Sequence, residues 1–369
     1  MPPGDESGDR TGDFAAESLS KWTPRFVANG IDVNDLERLR GRIDSWAEWC
    51  SEFAAVGDEY ADLGEAAEDR SEGATAGEHF VRASMYYHFG SHVWHLDAEA
   101  RDAAHMRAVE LFRRGAPYLD PPAERVEAPY EPGGFDVPGN LRVPDAGPNG
   151  SPADSPLVVL LPGLDSIKEE LNAYAEDFHN RGLATLAVDG AAQGETWYEH
   201  GMSPEYPKLV SAVVDHVEAM DPEGVDVSQL GVYGVSLGGF YAPFVAAHDD
   251  RFDACVGVSG PFTVGPVSSR GEGVLREQYK WACKTDSLVE VDEIAEAMTL
   301  RDVVSDLTAP TLALTGANDV IIPPEQTERI AEAAPNGEYL LYERGNHVCN
   351  NIPRIYRPRA ADWMRNRLV

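Results

Sequence analysis

The spacing of apolar residues divides the chain into a helical part and a part in which strands and helices alternate. Between residues 22 and 118, apolar side chains recur near helical spacing and predict three helices, over 33–53, 77–94 and 98–114. From residue 157 onward, short apolar runs alternate with amphipathic segments. This pattern is typical of a mainly parallel sheet that helices cover on both faces.

These patterns predict three segments. Residues 1–20 are polar, acidic and rich in glycine, so we expect them to be disordered. A helical domain is predicted over residues 21–120 and an α/β domain over residues 121–369, the latter opening with a β-hairpin over 125–143. A chain of 369 residues with 43% hydrophobic content can bury one large core and a smaller second one.

A Gly-x-Ser-x-Gly motif, from Gly234 to Gly238, follows a strand-like run and precedes a helix-like run over 240–248. In this context a nucleophile elbow presents its serine. The turn is so tight that side chains two positions before and after Ser236 would clash, which explains the two glycines. An incidental serine in a glycine-rich turn is the alternative that the motif alone leaves open.

Two partners for Ser236 follow along the chain. Asp319 comes just past a buried strand over 310–316, and His347 lies on a loop just past the last predicted strand, 338–343. A serine hydroxyl is a weak nucleophile at neutral pH, so an imidazole must accept its proton and a carboxylate must fix the imidazole tautomer. The order serine, acid, histidine is that of the α/β-hydrolases. We therefore predict this fold, with Ser236, Asp319 and His347 as a catalytic triad.

A second element supports the prediction. The apolar run over 157–161 indicates a buried parallel strand, which leads into a loop and then a helix over 168–181. In this fold one oxyanion-hole amide comes from the loop after that strand, and the other comes from the residue after the nucleophile. These rules nominate the backbone N–H groups of Leu164 and Leu237. An ordinary turn would look the same, because backbone donors leave no side-chain signature.

Several segments resemble one group of enzymes. Residues 162–170, Pro-Gly-Leu-Asp-Ser-Ile-Lys-Glu-Glu, look like a segment of the 2,6-dihydroxypseudooxynicotine hydrolase group. Residues 189–195 resemble the Asp-Gly-Pro-Gly-Gln-Gly-Glu loop of that group, with Ala191 and Ala192 departing from it. FrsA-like esterases and fungal polyketide-shortening hydrolases are similar. The resemblance covers most of the chain and includes two segments that look like a helical cap, residues 83–90 and 117–126.

The resemblance implies a hydrolase with an N-terminal helical cap. Such an enzyme would cleave a carbon–carbon bond next to a ketone, or an ester, in a small organic substrate. The family triad carries over onto Ser236, Asp319 and His347. Carbon–carbon members also use an acidic residue in the first segment, here Asp165, which we expect to bind substrate or to transfer a proton. A plain carboxylesterase, an acyltransferase with the same triad and a non-catalytic binding protein of the same fold are the alternatives.

Histidines and tyrosines in the helical part have competing interpretations. Tyr87 and His88 would either line the substrate side of the cap or pack in a helical core. His88, His92 and His95 follow at i, i+4 and i+7, which would place them on one helix face as metal ligands. No carboxylate motif accompanies them, the four cysteines show no Cys-x-x-Cys spacing, and the predicted chemistry needs no metal. We expect neither a metal nor a cofactor.

The charge is strongly negative, at −33 from 63 acidic and 30 basic residues. The excess is spread along the chain, which we interpret as adaptation to a salt-rich cytoplasm; a cation-binding or nucleic-acid-mimicking surface is the alternative. Such a charge argues against binding to nucleic acid or to anionic membranes. There is no run of 18 apolar residues and no signal-peptide pattern, so we expect a cytoplasmic protein, with a homodimer left open.

Overall fold

The computed structural model of the protein describes residues 8–145, 154–270 and 273–369. The chain forms two compact units, Met1–Glu124 and Arg125–Val369. The sequence predicted a domain boundary at residue 120, and the division in the structure follows Glu124. Each unit buries its own apolar residues.

The N-terminal unit is helical. Its helices are α1 (Gly8–Ala28), α2 (Val33–Arg40), α3 (Trp49–Asp69), α4 (Gly73–Ser91) and α5 (Ala98–Gly115). Aromatic rings form the centre of its core. The Phe26 ring contacts Phe53 and Phe89, with centroids 5.7 and 4.5 Å away, and Trp49 lies 4.7 Å from Phe53. Burial of these large rings stabilises the unit, because each removes a large apolar area from water.

The expectation of disorder over residues 1–20 is wrong from residue 8 onward, since α1 begins at Gly8; residues 1–7 lie outside the described part of the chain. Ala15 and Leu19 are buried, and the Phe14 ring packs edge-on against Trp46, with centroids 4.9 Å apart. These residues lie on one face of the helix. This short apolar pattern is hard to detect in the sequence because the segment is rich in glycine and acidic residues.

The single helix predicted over 33–53 is also wrong, because the structure breaks it into α2 and α3. Gly41 caps the C-terminus of α2, where its N–H bonds to carbonyls of the last turn. Before α3, the carboxylate of Glu48 accepts hydrogen bonds from the backbone N–H groups of Asp44 and Ser45, at 2.8 and 3.1 Å. Glycine at one helix end and a capping acid at the next are both readable stop and start signals.

An eight-stranded sheet organises the C-terminal unit. The strands are β1 (Ala123–Tyr130), β2 (Phe135–Arg142), β3 (Ser155–Leu161), β4 (Ala184–Val188), β5 (Val225–Val235), β6 (Phe252–Val258), β7 (Thr311–Gly316) and β8 (Gly337–Tyr342). Their order is β1-β2-β4-β3-β5-β6-β7-β8. The pairs from β4 through β8 are parallel, and β2 pairs antiparallel with β4. The predicted hairpin over 125–143 corresponds to β1 and β2.

Helices follow most of these strands: α6 (Asn172–His179), α7 (Tyr206–Met220), α8 (Leu237–Ala246), α9 (Gly265–Arg270), α10 (Val274–Ala282), α11 (Leu288–Ala297), α12 (Pro324–Ala333) and α13 (Pro353–Leu368). Alternate residues of β3 enter two separate cores. Val159 packs with side chains of α7 and α8, whereas Val158 and Leu160 pack with those of α6 and α13. A strand buried on both faces reads as a continuous apolar run, which is why β3 was visible in the sequence.

None of the helices in the described ranges is both long enough and apolar enough to cross a lipid bilayer. The predicted helix over 168–181 begins later than expected, at Asn172, and residues 168–171 form turns. The backbone N–H of Lys168 bonds to the Asp189 carboxylate at 2.8 Å, and the N–H groups of Leu171 and Asn172 bond three residues back, to the carbonyls of Lys168 and Glu169, which closes turns in place of a helix.

Candidate active site

Ser236 lies between the C-terminal end of β5 and the N-terminus of α8, in a backbone conformation that few residues other than glycine adopt. Its φ and ψ are 57° and −119°. The turn is held by a hydrogen bond from the Ser236 N–H to the Val258 carbonyl, at 2.8 Å. A methyl group added at Gly234 would overlap the Gly238 carbonyl, so the chain can close here only without side chains. The strain lifts the hydroxyl out of the strand.

Three side chains form a continuous hydrogen-bonded chain at this edge of the sheet. Nε2 of His347 lies 2.9 Å from Oγ of Ser236, and Nδ1 of His347 lies 2.8 Å from Oδ2 of Asp319. The Asp319 side chain is fully buried, whereas that of His347 retains 18% exposure. The structure thus brings together the serine, the acid and the histidine that the sequence nominated from three separate strand ends.

The loops that carry Asp319 and His347 are bound to each other. Because β7 and β8 are adjacent and parallel, their C-terminal ends emerge side by side. The N–H of Asn318 donates to the Gly345 carbonyl at 2.8 Å, and its side-chain amide donates to the Glu343 carbonyl at 3.0 Å. The residue after the histidine, Val348, has a left-handed φ of 56°. Such a conformation is rare for a β-branched residue and persists only where surrounding bonds fix it.

Asp319 is held ionised. Burial raises the pKa of its carboxyl, but the charge and hydrogen bond of His347 act against burial, and so do the N–H groups of Ile321 and Ile322. These N–H groups donate to Oδ1 at 3.0 and 2.9 Å. The net pKa lies below the ordinary value for aspartate. One carboxylate oxygen is thus fixed by backbone, and the other is left to orient the imidazole.

The two nominated amides belong to the residue after Ser236 and to the loop that approaches it. Leu237 is the first residue of α8, so its N–H has no acceptor inside the helix. Leu164 lies on the loop after β3, and this loop approaches the serine closely: a methyl group added at Gly163 would stand 3.2 Å from Cβ of Ser236. Both leucine residues are buried. The role of their amides as oxyanion donors stays a prediction.

The other nominated residues lie in two different places. Asp165 follows Leu164 and is partly exposed. Burial raises the pKa of Tyr279 on α10, and the charges of Cys283 and Asp165 add to the effect. Tyr87 and His88 belong to the N-terminal unit, where both are buried. The Tyr87 hydroxyl donates to Asp58 at 2.5 Å, so it already has an acceptor there. A role for these three residues in substrate binding stays a prediction.

The prediction that His88, His92 and His95 share one helix face is wrong. Helix α4 ends at Ser91, so His92 is its C-cap residue and His95 lies beyond the helix. Nδ1 of His92 lies 2.8 Å from the Phe89 carbonyl, and its ring packs edge-on against Trp22. Within residues 8–145, 154–270 and 273–369, no three histidine, cysteine, aspartate or glutamate residues are grouped as metal ligands would be.

Sequence reasoning missed a buried charge cluster beside the Leu164 loop. The ammonium group of Lys168 is fully buried among three carboxylates, 2.8 Å from Glu169 and Asp189 and 2.5 Å from Glu195. Burial lowers the pKa of Lys168, but the carboxylates outweigh it and raise the net pKa. Burial raises the pKa of Glu169 to about 7. The scarcity of lysine in this chain, with five in all, was a usable signal that Lys168 is special.

Glu195 joins this cluster to β1. It accepts hydrogen bonds from both terminal nitrogens of Arg125, at 2.9 and 3.0 Å. Burial raises the pKa of Glu195, yet Lys168 and Arg125 together lower it to about 2. Because Lys168 binds both Asp189 and Glu195, the cluster ties the segment after β3 to the segment after β4.

Comparison with known proteins agrees with this architecture. A model of the prolyl oligopeptidase family matches residues 172–362, and a model described as esterase FrsA-like matches residues 44–264. The fold, the site and these matches define an α/β-hydrolase enzyme. The chain belongs to the FrsA-like esterase family of these hydrolases, and the predicted fold and family resemblance are thereby confirmed.

One relative matches nearly the whole chain. The 2,6-dihydropseudooxynicotine hydrolase of Paenarthrobacter nicotinovorans is 31% identical over 357 residues, which cover 96% of this chain and 93% of that protein. The crystal structure of the 2,6-dihydroxy-pseudo-oxynicotine hydrolase superposes with a TM-score of 0.84 at 30% identity, covering 94% of this chain and 95% of that one. The similarity therefore includes the N-terminal helical unit.

Fungal relatives match a shorter part. The α/β-hydrolase ucsC of Acremonium sp is 31% identical over 227 residues, or 57% of this chain and 46% of that protein. This chain thus spans about half the length of such relatives. The structure named AbyA5 Wildtype has a TM-score of 0.72 but only 16% identity over 96% of this chain, so it shows a shared fold alone.

Proposed function

We propose that the protein is a serine hydrolase that attacks the carbonyl carbon of a small organic substrate and cleaves the carbon–carbon bond next to a ketone. The hydrogen-bonded chain from Asp319 through His347 to Ser236, at a strained strand-to-helix turn, carries the proposal. Ser236 is the nucleophile, His347 is the general base, and Asp319 fixes the tautomer and stabilises the imidazolium. The amides of Leu164 and Leu237 bind the oxyanion.

The reaction would proceed in two halves. Oγ of Ser236 bonds to the carbonyl carbon while its proton passes to Nε2 of His347, and the oxygen becomes an oxyanion. When the carbonyl re-forms, the bond to the leaving group breaks and its electron pair leaves as a carbanion or enolate, which takes the proton back from His347. Water then attacks the acyl-serine by the same path and releases a carboxylic acid. Asp165, one residue past Leu164, is proposed to assist proton transfer to carbon.

Carbon–carbon cleavage is favoured over ester cleavage by the extent of similarity. The chain matches the pseudooxynicotine hydrolase along almost its full length, helical unit included. The model of the FrsA-like esterases matches a shorter part, residues 44–264.

A divided substrate panel tests the proposal. Aryl ketones and β-diketones form one arm, and p-nitrophenyl esters of matched acyl length form the other, with Ser236→Ala as control. We expect a carboxylic acid and a neutral ketone or arene from the first arm at rates above the second. Faster ester turnover would identify a carboxylesterase, and acyl transfer to an added alcohol would identify an acyltransferase. No turnover in any arm, with a folded protein, would favour a non-catalytic binding protein.

A further inference from the structure

A buried glutamine, Gln193, joins the loop after β4 to the loop after β3. It lies within the motif over 189–195 but has no part in the proposed chemistry, and its residue exposure is 1%. Its side-chain nitrogen donates to the carbonyls of Pro162 and Gly163, at 2.5 and 3.2 Å. Its side-chain oxygen accepts from the N–H of Gly190 at 3.0 Å and from the hydroxyl of Tyr206 at 2.8 Å. Every hydrogen-bonding direction of the amide is used.

The chemistry of its partners fixes the orientation of this amide. Two carbonyl oxygens can only accept, so the side-chain nitrogen must face Pro162 and Gly163. A backbone N–H can only donate, so the side-chain oxygen must face Gly190. A flipped amide would set oxygen against oxygen at one end and N–H against N–H at the other. Gln193 therefore binds the loop in one orientation.

The contact with Gly163 bears directly on the nominated oxyanion donor. The carbonyl of Gly163 and the N–H of Leu164 belong to the same planar peptide unit and point in opposite directions. A donor that holds the carbonyl on one side thereby directs the N–H to the other side. The loop lies against Ser236, as the close approach of Gly163 to its Cβ indicates. Gln278 holds the next carbonyl, that of Leu164, at 3.1 Å.

The loop that carries Gln193 is itself braced at both ends. Asp189 and Glu195 both bind the ammonium group of Lys168, which lies four residues after Leu164 in the chain. Asp189 also accepts the backbone N–H groups of Lys168 and Glu195, at 2.8 and 3.1 Å. Gln193 is thus held between two fixed points and has little freedom to follow a moving loop.

We infer that Gln193 is a positioning residue, which aims the Leu164 amide at the oxyanion through the Gly163 peptide. The inference rests on the proposed function, because it assumes that Leu164 supplies an oxyanion donor. An interaction that matters only when the oxyanion forms affects the chemical step and leaves initial binding alone. Misplacing a reacting group by about 1 Å can cost roughly 100-fold in rate.

The stacked pair of Tyr206 and Tyr241 provides a matched test. Their rings are parallel, with centroids 3.5 Å apart. The Tyr206 hydroxyl holds Gln193, whereas the Tyr241 hydroxyl has no hydrogen-bond partner within the described residues. Tyr206→Phe and Tyr241→Phe therefore each remove one hydroxyl from the same stack, and only the first touches the positioning residue. Gln193→Met keeps the size of the side chain and removes all four hydrogen bonds.

The probe is an alkyl fluorophosphonate, whose P=O oxygen would occupy the oxyanion site. Oγ of Ser236 bonds to phosphorus, fluoride leaves with the bonding electron pair, and the serine proton passes to His347. The limiting rate of phosphonylation and the half-saturating probe concentration are measured by intact mass. We expect Gln193→Met to lower the limiting rate about 30-fold, and Tyr206→Phe about threefold, with half-saturation unchanged. Tyr241→Phe should match the wild type.

The outcomes separate this inference from the proposed function. A wild type that is not labelled at Ser236 overturns both. A labelled wild type with equal limiting rates in Tyr206→Phe and Tyr241→Phe overturns only the role of Gln193. The same holds if Gln193→Met loses affinity and rate together in step with its melting temperature, as a purely structural residue would. If Gln193→Met does not fold, the tyrosine pair alone decides.

Discussion

Each unit contains a buried aspartate that its neighbours hold ionised, Asp35 in one and Asp319 in the other, and the two aspartates differ in the groups that they bind. Asp35 and Asp319 have the same exposure, 6% of the residue, and both carboxyls have a pKa below the ordinary value. In both, burial raises the pKa and the hydrogen-bond partners outweigh it. Asp35 accepts the hydroxyls of Tyr60 and Tyr86, at 2.7 and 2.6 Å, and an N–H of Arg38 at 2.8 Å.

The two aspartates differ in what their hydrogen-bond partners can do. The partners of Asp35 are two stacked phenols and a guanidinium, none of which passes a proton at neutral pH. The partner of Asp319 is an imidazole whose other nitrogen reaches the serine hydroxyl. A buried, hydrogen-bonded carboxylate therefore has a structural role in most cases. It indicates a catalytic role when its partner can exchange a proton and is itself hydrogen-bonded to a nucleophile.

The largest expected effect is on activity, in Asp319→Asn. The amide is nearly the same size and can still fill the site, but it stabilises the wrong imidazole tautomer. By analogy with other serine hydrolases we expect kcat to fall about 10,000-fold. Labelling of Ser236 by a fluorophosphonate should slow in proportion, while the melting temperature changes little. A variant within tenfold of wild-type kcat would contradict the assigned role.

The matched change in the other unit, Asp35→Asn, should reverse this pattern. It weakens hydrogen bonds to a charged acceptor, and we expect a loss of about 2 kcal/mol in the free energy of unfolding with unchanged serine labelling. Because the pKa of Asp35 is lowered in the folded state, its contribution is present above pH about 4 and disappears as the pH falls through the folded-state pKa. Urea unfolding of the wild type and the variant at pH 7 and at pH 3 measures the loss in the free energy of unfolding and its dependence on pH.

Two results would contradict the difference in role between Asp35 and Asp319. Equal stability of Asp35→Asn and wild type at pH 7 would mean that the tyrosine pair does not depend on the charge. A fall in the labelling rate of a folded Asp35→Asn, larger than in a matched surface variant such as Glu37→Gln, would mean that Asp35 has a part in the chemistry.

We expect salt to stabilise the two units alike, so it should produce the smallest difference between them. Acidic residues outnumber basic ones by 25 to 12 in residues 1–124 and by 38 to 18 in residues 125–369. At about 1 M salt the screening length is ~3 Å, so repulsion between surface carboxylates is largely removed. We expect the melting temperature and activity to rise together from dilute buffer to molar KCl. Full activity and an unchanged melting curve in dilute buffer would contradict adaptation to salt.

The sequence was most informative where local geometry fixes function. Ser236, Asp319 and His347 each come after a strand whose apolar residues are visible in the sequence, and the C-terminal ends of parallel strands lie at one edge of the sheet. Their contact could therefore be predicted without knowing the packing of any helix.

Contacts that depend on distant pairing could not be predicted in this way. Gln193 and Pro162 are 31 residues apart, and only the pairing of β3 with β4 brings their loops together. The same holds for Lys168, whose backbone N–H and ammonium group both bind Asp189, 21 residues further along the chain. In the N-terminal unit, His92 continues the residue spacing of α4, yet the helix ends at Ser91, three residues before the predicted end at residue 94.

The most direct test of the proposed mechanism is whether the Ser236 hydroxyl reacts with a fluorophosphonate. Wild-type protein and Ser236→Ala are treated with a fluorophosphonate in molar KCl and read by intact mass, after both are shown to melt cooperatively. If Ser236 is the activated nucleophile, the wild type carries a single adduct and the variant carries none. An unlabelled wild type, or the same adduct on Ser236→Ala, would contradict it.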